Sequence, residues 1–120
     1  MKNFICIVLL NLSLLIFQGC RKADSGAHGS AQHIKVVMKK YAIEPAIISL
    51  KSGADVELEI STADVQHGFD VPQLGIREPV QPGRPSIIAF KAPPRGQYNI
   101  VCGIICGPHH DDMTATLVVQ

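Results

Sequence analysis

The sequence predicts an all-β protein, and more specifically a β-sandwich built from many short strands. Three observations support this prediction. Apolar and polar residues alternate with a period of two in several windows, turn-forming residues separate these windows at regular spacing, and no window keeps a helical period. The clearest alternation lies at residues 56–61, where valine, leucine and isoleucine alternate with two glutamates and a serine.

The same patterns predict where the strands lie. Six strands are expected, at residues 34–38, 46–50, 56–60, 85–90, 97–101 and 114–119. His67 stands at the start of another strand-like segment. The segment 71–85 contains four prolines and two glycines, so it is expected to be more loop than sheet.

Residues 1–19 are predicted to be a signal peptide of the lipoprotein type. Lys2 precedes an apolar run over residues 4–17, which is too short and too early for a comfortable membrane span. The run ends in a Gly-Cys junction that resembles a bacterial lipobox, in which Cys20 becomes the lipid-modified first residue of the mature protein. Phe17 stands where leucine is usual, so ordinary cleaved secretion and a retained anchor are the alternatives.

Residues 20–33 are small and polar without periodicity, which predicts a flexible tether before a single domain at 34–120. Cleavage before Cys20 would remove only Lys2 of the 11 basic side chains, leaving ten of them against ten acidic ones. Because no basic stripe exists, nucleic acid is not an expected partner. Cys6 would leave with the signal peptide, so Cys102 and Cys106 would be the free thiols of the exported protein.

The segment 101–113, VCGIICGPHHDDM, carries the chemistry of the chain. It contains the pattern C-x-x-x-C-x-x-x-H-x-x-M, formed by Cys102, Cys106, His110 and Met113, while His67 lies far upstream. Two thiolates, two imidazoles and a thioether suit copper that cycles between two oxidation states. A mononuclear site needs only one cysteine in such a loop. The second cysteine allows two sulfurs to bridge two metals.

Other interpretations exist for several of these residues. A disulfide is the alternative for an exported cysteine pair, but that role needs neither the following histidine nor the methionine. Alone, His67 would be read as a hydrogen-bonded turn residue, and the loop makes a ligand role the better interpretation. Spacing favours His110 over His109, which is expected to face solvent together with the aspartates at 111 and 112. One of these aspartates could orient a ligating imidazole.

These motifs resemble a known family, the copper-binding extramembrane domain of cytochrome c oxidase subunit II, a cupredoxin with a binuclear Cu-A centre. The resemblance covers residues from about 34 to 119. The matching segments occur in the family's order, at 41–45 (YAIEP), 64–72 (DVQHGFDVP), 74–76 (LGI), 80–83 (VQPG) and 102–113. The same centre occurs in nitrous oxide reductase.

The resemblance implies a cupredoxin-like Greek-key β-sandwich and a specific set of copper ligands. It implies two copper ions that share one electron and are bridged by two cysteines, each ion with one histidine and one weak ligand. The weak ligands are the methionine sulfur and a backbone carbonyl. In this sequence the implied ligands are His67, Cys102, Ile104 (through its carbonyl), Cys106, His110 and Met113.

Three departures limit what the resemblance implies. A lipoprotein-like leader stands in place of the family's two membrane-spanning helices, Ile104 replaces a glutamate found in many oxidase subunits, and the chain contains no tryptophan. In the family, that glutamate is linked to a magnesium site, and an aromatic residue receives electrons from cytochrome c. The metal centre is therefore expected here, whereas membership of a proton-pumping oxidase complex is not.

The sequence and the resemblance together predict an electron-transfer protein. The expected donor is a cytochrome c-type protein, and the expected acceptor is a respiratory oxidase or reductase. The expected location is the periplasmic or outer face of a membrane, with the lipid on Cys20 as the anchor. Copper storage or delivery for oxidase assembly is the alternative, and a thiol redox protein is a third. No general acid, base or substrate pocket is visible, so catalysis is expected at most as part of an oxidase.

Overall fold

The computed structural model describes residues 30–120, in which nine β-strands and two short 3-10 helices are found. The 3-10 helices are Pro72–Leu74 and His110–Asp112. The strands are β1 (Gln32–Lys39), β2 (Ala42–Glu44), β3 (Ile47–Leu50), β4 (Asp55–Thr62), β5 (His67–Val71), β6 (Ile76–Val80), β7 (Ser86–Lys91), β8 (Gly96–Cys102) and β9 (Thr114–Val119). The predicted leader and Cys20 lie outside the described residues.

The strands form two sheets that pack into a sandwich. One sheet has the order β2-β1-β4-β7 and the other has the order β3-β9-β8-β5-β6. The pairs β1–β4 and β3–β9 are parallel, whereas all the other described pairs are antiparallel. Neighbouring strands are thus often far apart in sequence, which is the connectivity of a Greek-key sandwich. The predicted all-β sandwich is confirmed.

The core lies between the inner faces of the two sheets. In β4, Val56, Leu58 and Ile60 are all buried, and the glutamates between them are not. In β9, Leu117 is fully buried on the opposite sheet. Side chains alternate between the two faces of a strand, so a period of two in the sequence becomes one apolar face. Burying such a side chain contributes about 1.5–3 kcal/mol, which makes this face the main source of stability.

The six predicted strands are confirmed, with ends that differ by at most two residues. The prediction for segment 71–85 was wrong in part, because β6 forms a regular strand inside it. Proline is tolerated at the edge of a sheet, where one side of the strand needs no hydrogen-bond donors. Pro79 is on such an edge strand, which pairs with β5 alone and places Pro79 opposite Gly68.

The first strand reaches into the segment predicted to be a tether. β1 begins at Gln32, and His33 accordingly lies on the sheet, where its Nδ1 is 3.0 Å from a carboxylate oxygen of Glu57. The His33 side chain is largely exposed, and the Glu57 side chain is half-buried. Across residues 30–120, no helix has the length and apolar character needed to span a membrane.

Candidate metal centre

Two neighbouring strands of the five-stranded sheet place the first residues of the site. β5 and β8 are antiparallel, and Phe69 lies directly opposite Cys102. Opposed residues share a face of the sheet, as do residues two apart in one strand. His67 and Cys102 therefore point to the same side, into the sandwich, at the end of the sheet where β5 begins and β8 ends.

The segment that follows Cys102 contributes the other candidate donors. It leaves the sheet at the end of β8 and passes through the 3-10 helix His110–Asp112 before it enters β9. Its two ends are joined, because the backbone N–H of Cys102 donates to the carbonyl of Met113 at 3.2 Å. We call residues 102–113 the cysteine loop. Both ends of this loop are anchored in central strands, so its side chains are held by the sheet.

Cys102 is the centre of the first group of candidate donors. Its Sγ lies 3.7 Å from His67 Nδ1. The Cys102 thiol also donates to the backbone carbonyl oxygen of Ile104 at 3.1 Å, so this carbonyl points towards the sulfur. One thiol, one imidazole nitrogen and one backbone oxygen therefore converge at the end of β8.

Cys106 is the centre of a second group of the same kind. Its Sγ lies 3.8 Å from His110 Nδ1 and 3.4 Å from the Met113 Sδ. The two cysteine sulfurs are 4.0 Å apart, and they join the two groups. The donor atoms of His67, Cys102 and Cys106 all lie within 4.8 Å of one another, a set that does not include His110. His110 is therefore associated with Cys106 alone.

The site is enclosed by protein on most sides. His67 and Met113 are fully buried, and Cys102 and Cys106 are 5% and 8% exposed. His110 is the most accessible of the side-chain donors, with 19% of its side chain exposed. Burial raises the pKa of the Cys106 thiol, and the adjacent Cys102 raises it further. With its pKa raised, the Cys106 thiol holds its proton at neutral pH in the absence of a cation, so ligation by its thiolate releases that proton.

The arrangement of the two cysteine sulfurs fits shared ligation of a soft metal ion better than it fits a disulfide bond. A disulfide requires sulfurs about 2.05 Å apart, whereas these two free thiols are 4.0 Å apart. Metal–sulfur bonds of about 2.3 Å allow two ligating sulfurs to be up to roughly 4.6 Å apart, so both thiolates can contact the same ion. Thiolate, thioether and imidazole are the ligands that copper prefers among the common biological donors.

Asp64 holds the imidazole of His67 from the side away from the sulfurs. Its Oδ1 lies 2.7 Å from His67 Nε2. Partial burial alone would raise the pKa of Asp64. Hydrogen bonds from the backbone of Lys40, from the His67 side chain and from the backbone of Val65 outweigh that effect and lower the pKa from 3.8 to about 2. Asp64 is thus ionised at neutral pH and accepts hydrogen bonds without donating any.

Two glycines let the cysteine loop close over the site. A Cβ at Gly103 would collide with the carboxylate of Asp70, while the Gly103 N–H donates to the carbonyl of Gly68 at 3.0 Å. Gly107 has a φ of +148°, a conformation that side chains rarely adopt, and a Cβ there would meet the hydroxyl of Tyr41. The loop can therefore lie directly against β5 and Tyr41.

The structure agrees with the sequence analysis on which residues converge. His67, Cys102, Cys106, His110, Met113 and the carbonyl of Ile104 all lie at one place. His109 faces solvent with 67% of its side chain exposed, as predicted from spacing, and packs edge-on against the Tyr41 ring. Asp111 and Asp112 are exposed, as predicted.

Asp64, the acid that contacts a candidate ligand, was not predicted from the sequence. The predicted candidates for this role were the aspartates at 111 and 112. Asp112 instead contacts the exposed His109, and Asp111 Oδ1 lies 3.9 Å from His110 Nε2, beyond hydrogen-bond distance. The only signal in the sequence was an aspartate three residues before His67, and such a spacing has no fixed meaning outside a helix.

Comparison with known proteins agrees with this architecture. Residues 7–119 match the family described as cupredoxin-like domain. Cytochrome c oxidase subunit 2 of Thermus thermophilus is 32% identical over 87 residues, which are 72% of this chain and 64% of that protein. The corresponding protein of a Synechocystis species is 41% identical over 58 residues, which are 48% of this chain and 18% of that protein. The chain thus spans less than two thirds of the length of these relatives.

Solved structures share the same fold. A chain from the structure of a heme-copper terminal oxidase dimer superposes with a TM-score of 0.68 at 20% identity, over 76% of this chain and 66% of that one. The periplasmic domain of cytochrome oxidase subunit II of Bradyrhizobium japonicum superposes with a TM-score of 0.67 at 20% identity, over 74% and 83%. Identity this low supports a common sandwich, and the assignment of function has to come from the site.

Proposed function

The chain belongs to the cupredoxin-like domain family, and from this premise we propose that it is a copper protein that transfers single electrons through a binuclear Cu-A-type centre. The observation that carries the proposal is the division of the donors into two equivalent groups. Each sulfur has its own imidazole, at 3.7 Å for Cys102 and 3.8 Å for Cys106, and each has one further weak donor. A mononuclear site would leave one of these groups without a role.

The residues that would hold the copper ions follow from this division. Cys102 and Cys106 would bridge both ions, and His67 and His110 would each ligate one of them. The carbonyl oxygen of Ile104 and the sulfur of Met113 would be the weak ligands, one on each side. When bound, the copper pair supplies a one-electron redox couple.

The surrounding protein supplies what a fast electron carrier requires. His67 and Cys102 lie in β5 and β8, and the cysteine loop that carries the other donors runs from the end of β8 to the start of β9, so the sheet anchors this loop at both ends. Burial of His67, Cys102 and Met113 excludes water from the site. A rigid, dry site changes little when its charge changes, which keeps the reorganisation energy small. His110 is the donor nearest to solvent and is therefore the expected side for exchange with a partner.

The comparisons support a respiratory role for this carrier. The relatives from Thermus thermophilus and Synechocystis are subunits of cytochrome c oxidase. A cytochrome c-type protein is accordingly the proposed donor, and a respiratory oxidase or reductase is the proposed acceptor. A copper delivery protein would need to release its metal, whereas the side-chain donors here are largely enclosed. The enclosure of the donors therefore favours an electron carrier over a copper delivery protein.

Stopped-flow mixing of the copper-loaded protein with a reduced c-type cytochrome tests this function. We expect rapid oxidation of the cytochrome with one electron taken up per copper pair, and no loss of copper to an apo copper-binding partner under the same conditions. The structural reason is that the donors that would hold the copper ions are buried, so a partner could not easily reach the metal. Ready copper transfer without electron transfer would overturn the proposal and indicate the delivery role.

We further propose that the protein is exported and held at the membrane by a lipid on Cys20, outside the described residues. The support is the apolar run that ends in Gly19-Cys20. Cys20→Ser should move the protein from the membrane fraction to the soluble fraction without changing its visible spectrum, because the site lies in a separate folded domain. Immunoblots of both fractions measure this. Continued membrane retention would instead indicate an uncleaved anchor.

A further inference from the structure

We propose that Asp64 is a positioning residue that fixes the tautomer of His67, keeping the proton on Nε2 and the lone pair of Nδ1 directed at the metal site. This inference rests on the proposed copper function and deepens it. It concerns a residue that would not touch the metal. Its effect would be to prepare one imidazole for ligation before any ion arrives.

The contacts of His67 determine which of its two ring nitrogens carries the proton in the neutral imidazole. The imidazole is fully buried, so water does not compete for either nitrogen. Its Nε2 lies 2.7 Å from Asp64 Oδ1, and a carboxylate only accepts hydrogen bonds. Nε2 is therefore the nitrogen that carries the proton. In the neutral ring Nδ1 is then an acceptor, and it is the nitrogen that faces Cys102 Sγ at 3.7 Å.

The carboxylate of Asp64 is itself fixed by the backbone. Its Oδ1 also accepts the N–H of Val65 at 2.6 Å, and its Oδ2 accepts the N–H of Lys40 at 2.7 Å. Lys40 lies in the turn between β1 and β2, so two separate segments hold the same side chain. Asp64 cannot turn away from His67 without leaving these donors unpaired. The carboxylate is thus a rigid support for the imidazole.

The other two histidines of the region lack such a support. His109 and Asp112 are 3.2 Å apart, but 67% and 73% of their side chains are exposed, so water competes for this contact. His110 Nε2 lies 3.9 Å from Asp111, whose side chain is fully exposed. Of the two imidazoles proposed as ligands, His67 is therefore fixed in one tautomer by a carboxylate, and His110 is not.

The role of Asp64 can be measured first in the metal-free protein. The nitrogen shifts of ¹⁵N-labelled histidine distinguish the two neutral tautomers and the imidazolium. We expect His67 to carry its proton on Nε2 in the wild type. Asp64→Ala should remove this preference. Asp64→Asn should weaken it, because an amide that turns its NH₂ group towards His67 favours the opposite tautomer.

Copper retention provides the second measurement. Competition with a chelator should give a copper affinity about 10–100-fold lower for Asp64→Ala, the range usual for loss of a group that supports a metal ligand, and a smaller loss for Asp64→Asn. Asp112→Asn alters the exposed histidine–aspartate pair and is the matched control, with unchanged affinity expected. Circular dichroism and thermal melting report whether each variant is folded, and Asp64→Asn keeps the shape of the side chain should Asp64→Ala not fold.

The outcomes separate this inference from the proposed function. A wild-type His67 with its proton on Nδ1, or both Asp64 variants with the copper affinity of Asp112→Asn, would overturn the inference while leaving the copper centre intact. If the wild type bound no copper although His67 carried its proton on Nε2, the copper function would be wrong and the tautomer assignment would stand.

Discussion

Replacing Cys102 by serine is expected to abolish the proposed binuclear copper centre. The reconstituted wild type should hold two copper ions per chain and give a many-line electron paramagnetic resonance signal, because the unpaired electron is shared by two nuclei. Cys102 Sγ is the sulfur that connects His67, at 3.7 Å, with Cys106 Sγ, at 4.0 Å. A serine hydroxyl is a much poorer copper ligand than a thiolate. The variant should hold one copper ion with a four-line signal, or none.

His109→Ala is the control for this experiment. His109 lies in the same loop, next to His110, but its side chain points to solvent and contacts Tyr41 and Asp112. This variant should keep two copper ions and the many-line signal. A wild type with one copper per chain and an ordinary four-line signal would contradict the binuclear proposal, as would a Cys102→Ser protein that retains the many-line signal.

Removing copper is expected to lower the melting temperature substantially. A ligand present at 1,000 times its dissociation constant stabilises the folded state by about 4 kcal/mol. For a domain of this size each kcal/mol corresponds to about 4–8 °C, so the metal-free protein should melt roughly 15–30 °C below the loaded one. The physical reason is that, in the proposed centre, metal–sulfur bonds would replace weak thiol contacts among buried donors, such as the 4.0 Å contact of Cys102 with Cys106.

Differential scanning calorimetry of loaded and metal-free protein measures this difference. Cys102→Ser is the informative comparison, because copper should raise its melting temperature much less than it raises that of the wild type. Equal melting temperatures for loaded and metal-free wild type, at saturating copper, would show that the buried donors do not bind the metal in the folded state.

Most of the fold could be predicted because apolar residues face a single core. β4 is the clearest case, since its alternation of apolar residues with glutamates corresponds to its buried and exposed faces. β6 escaped prediction for a physical reason. Pro79 and the neighbouring glycines are typical of loops in general, and only the position of β6 at the edge of the sheet makes a proline acceptable there. The local sequence pattern of a strand does not show whether that strand lies at the edge of its sheet.

The convergence of the candidate ligands could also be predicted in large part from the sequence. Cys102, Cys106, His110 and Met113 are close in sequence, so their spacing already restricts where their side chains can meet. His67 was included on the strength of chemistry and resemblance, and its position depends on the pairing of β5 with β8. Asp64 could not be identified, because a spacing of three residues from His67 does not predict a contact outside a helix, and the Lys40 N–H that fixes its carboxylate lies 24 residues away in sequence.

The parallel pairing of β3 with β9 has a consequence for how the protein matures. Ile47 pairs with Thr116 and Leu50 pairs with Val119, so the sheet that holds the cysteine loop joins residues that are synthesised far apart in time. Contacts between such distant residues make folding slow and place it late. A nascent chain that lacks β9 has no completed sheet and no enclosed site. The five-stranded sheet is therefore complete only once β9 has been made, so the proposed metal centre can form only after this late strand has joined the sheet.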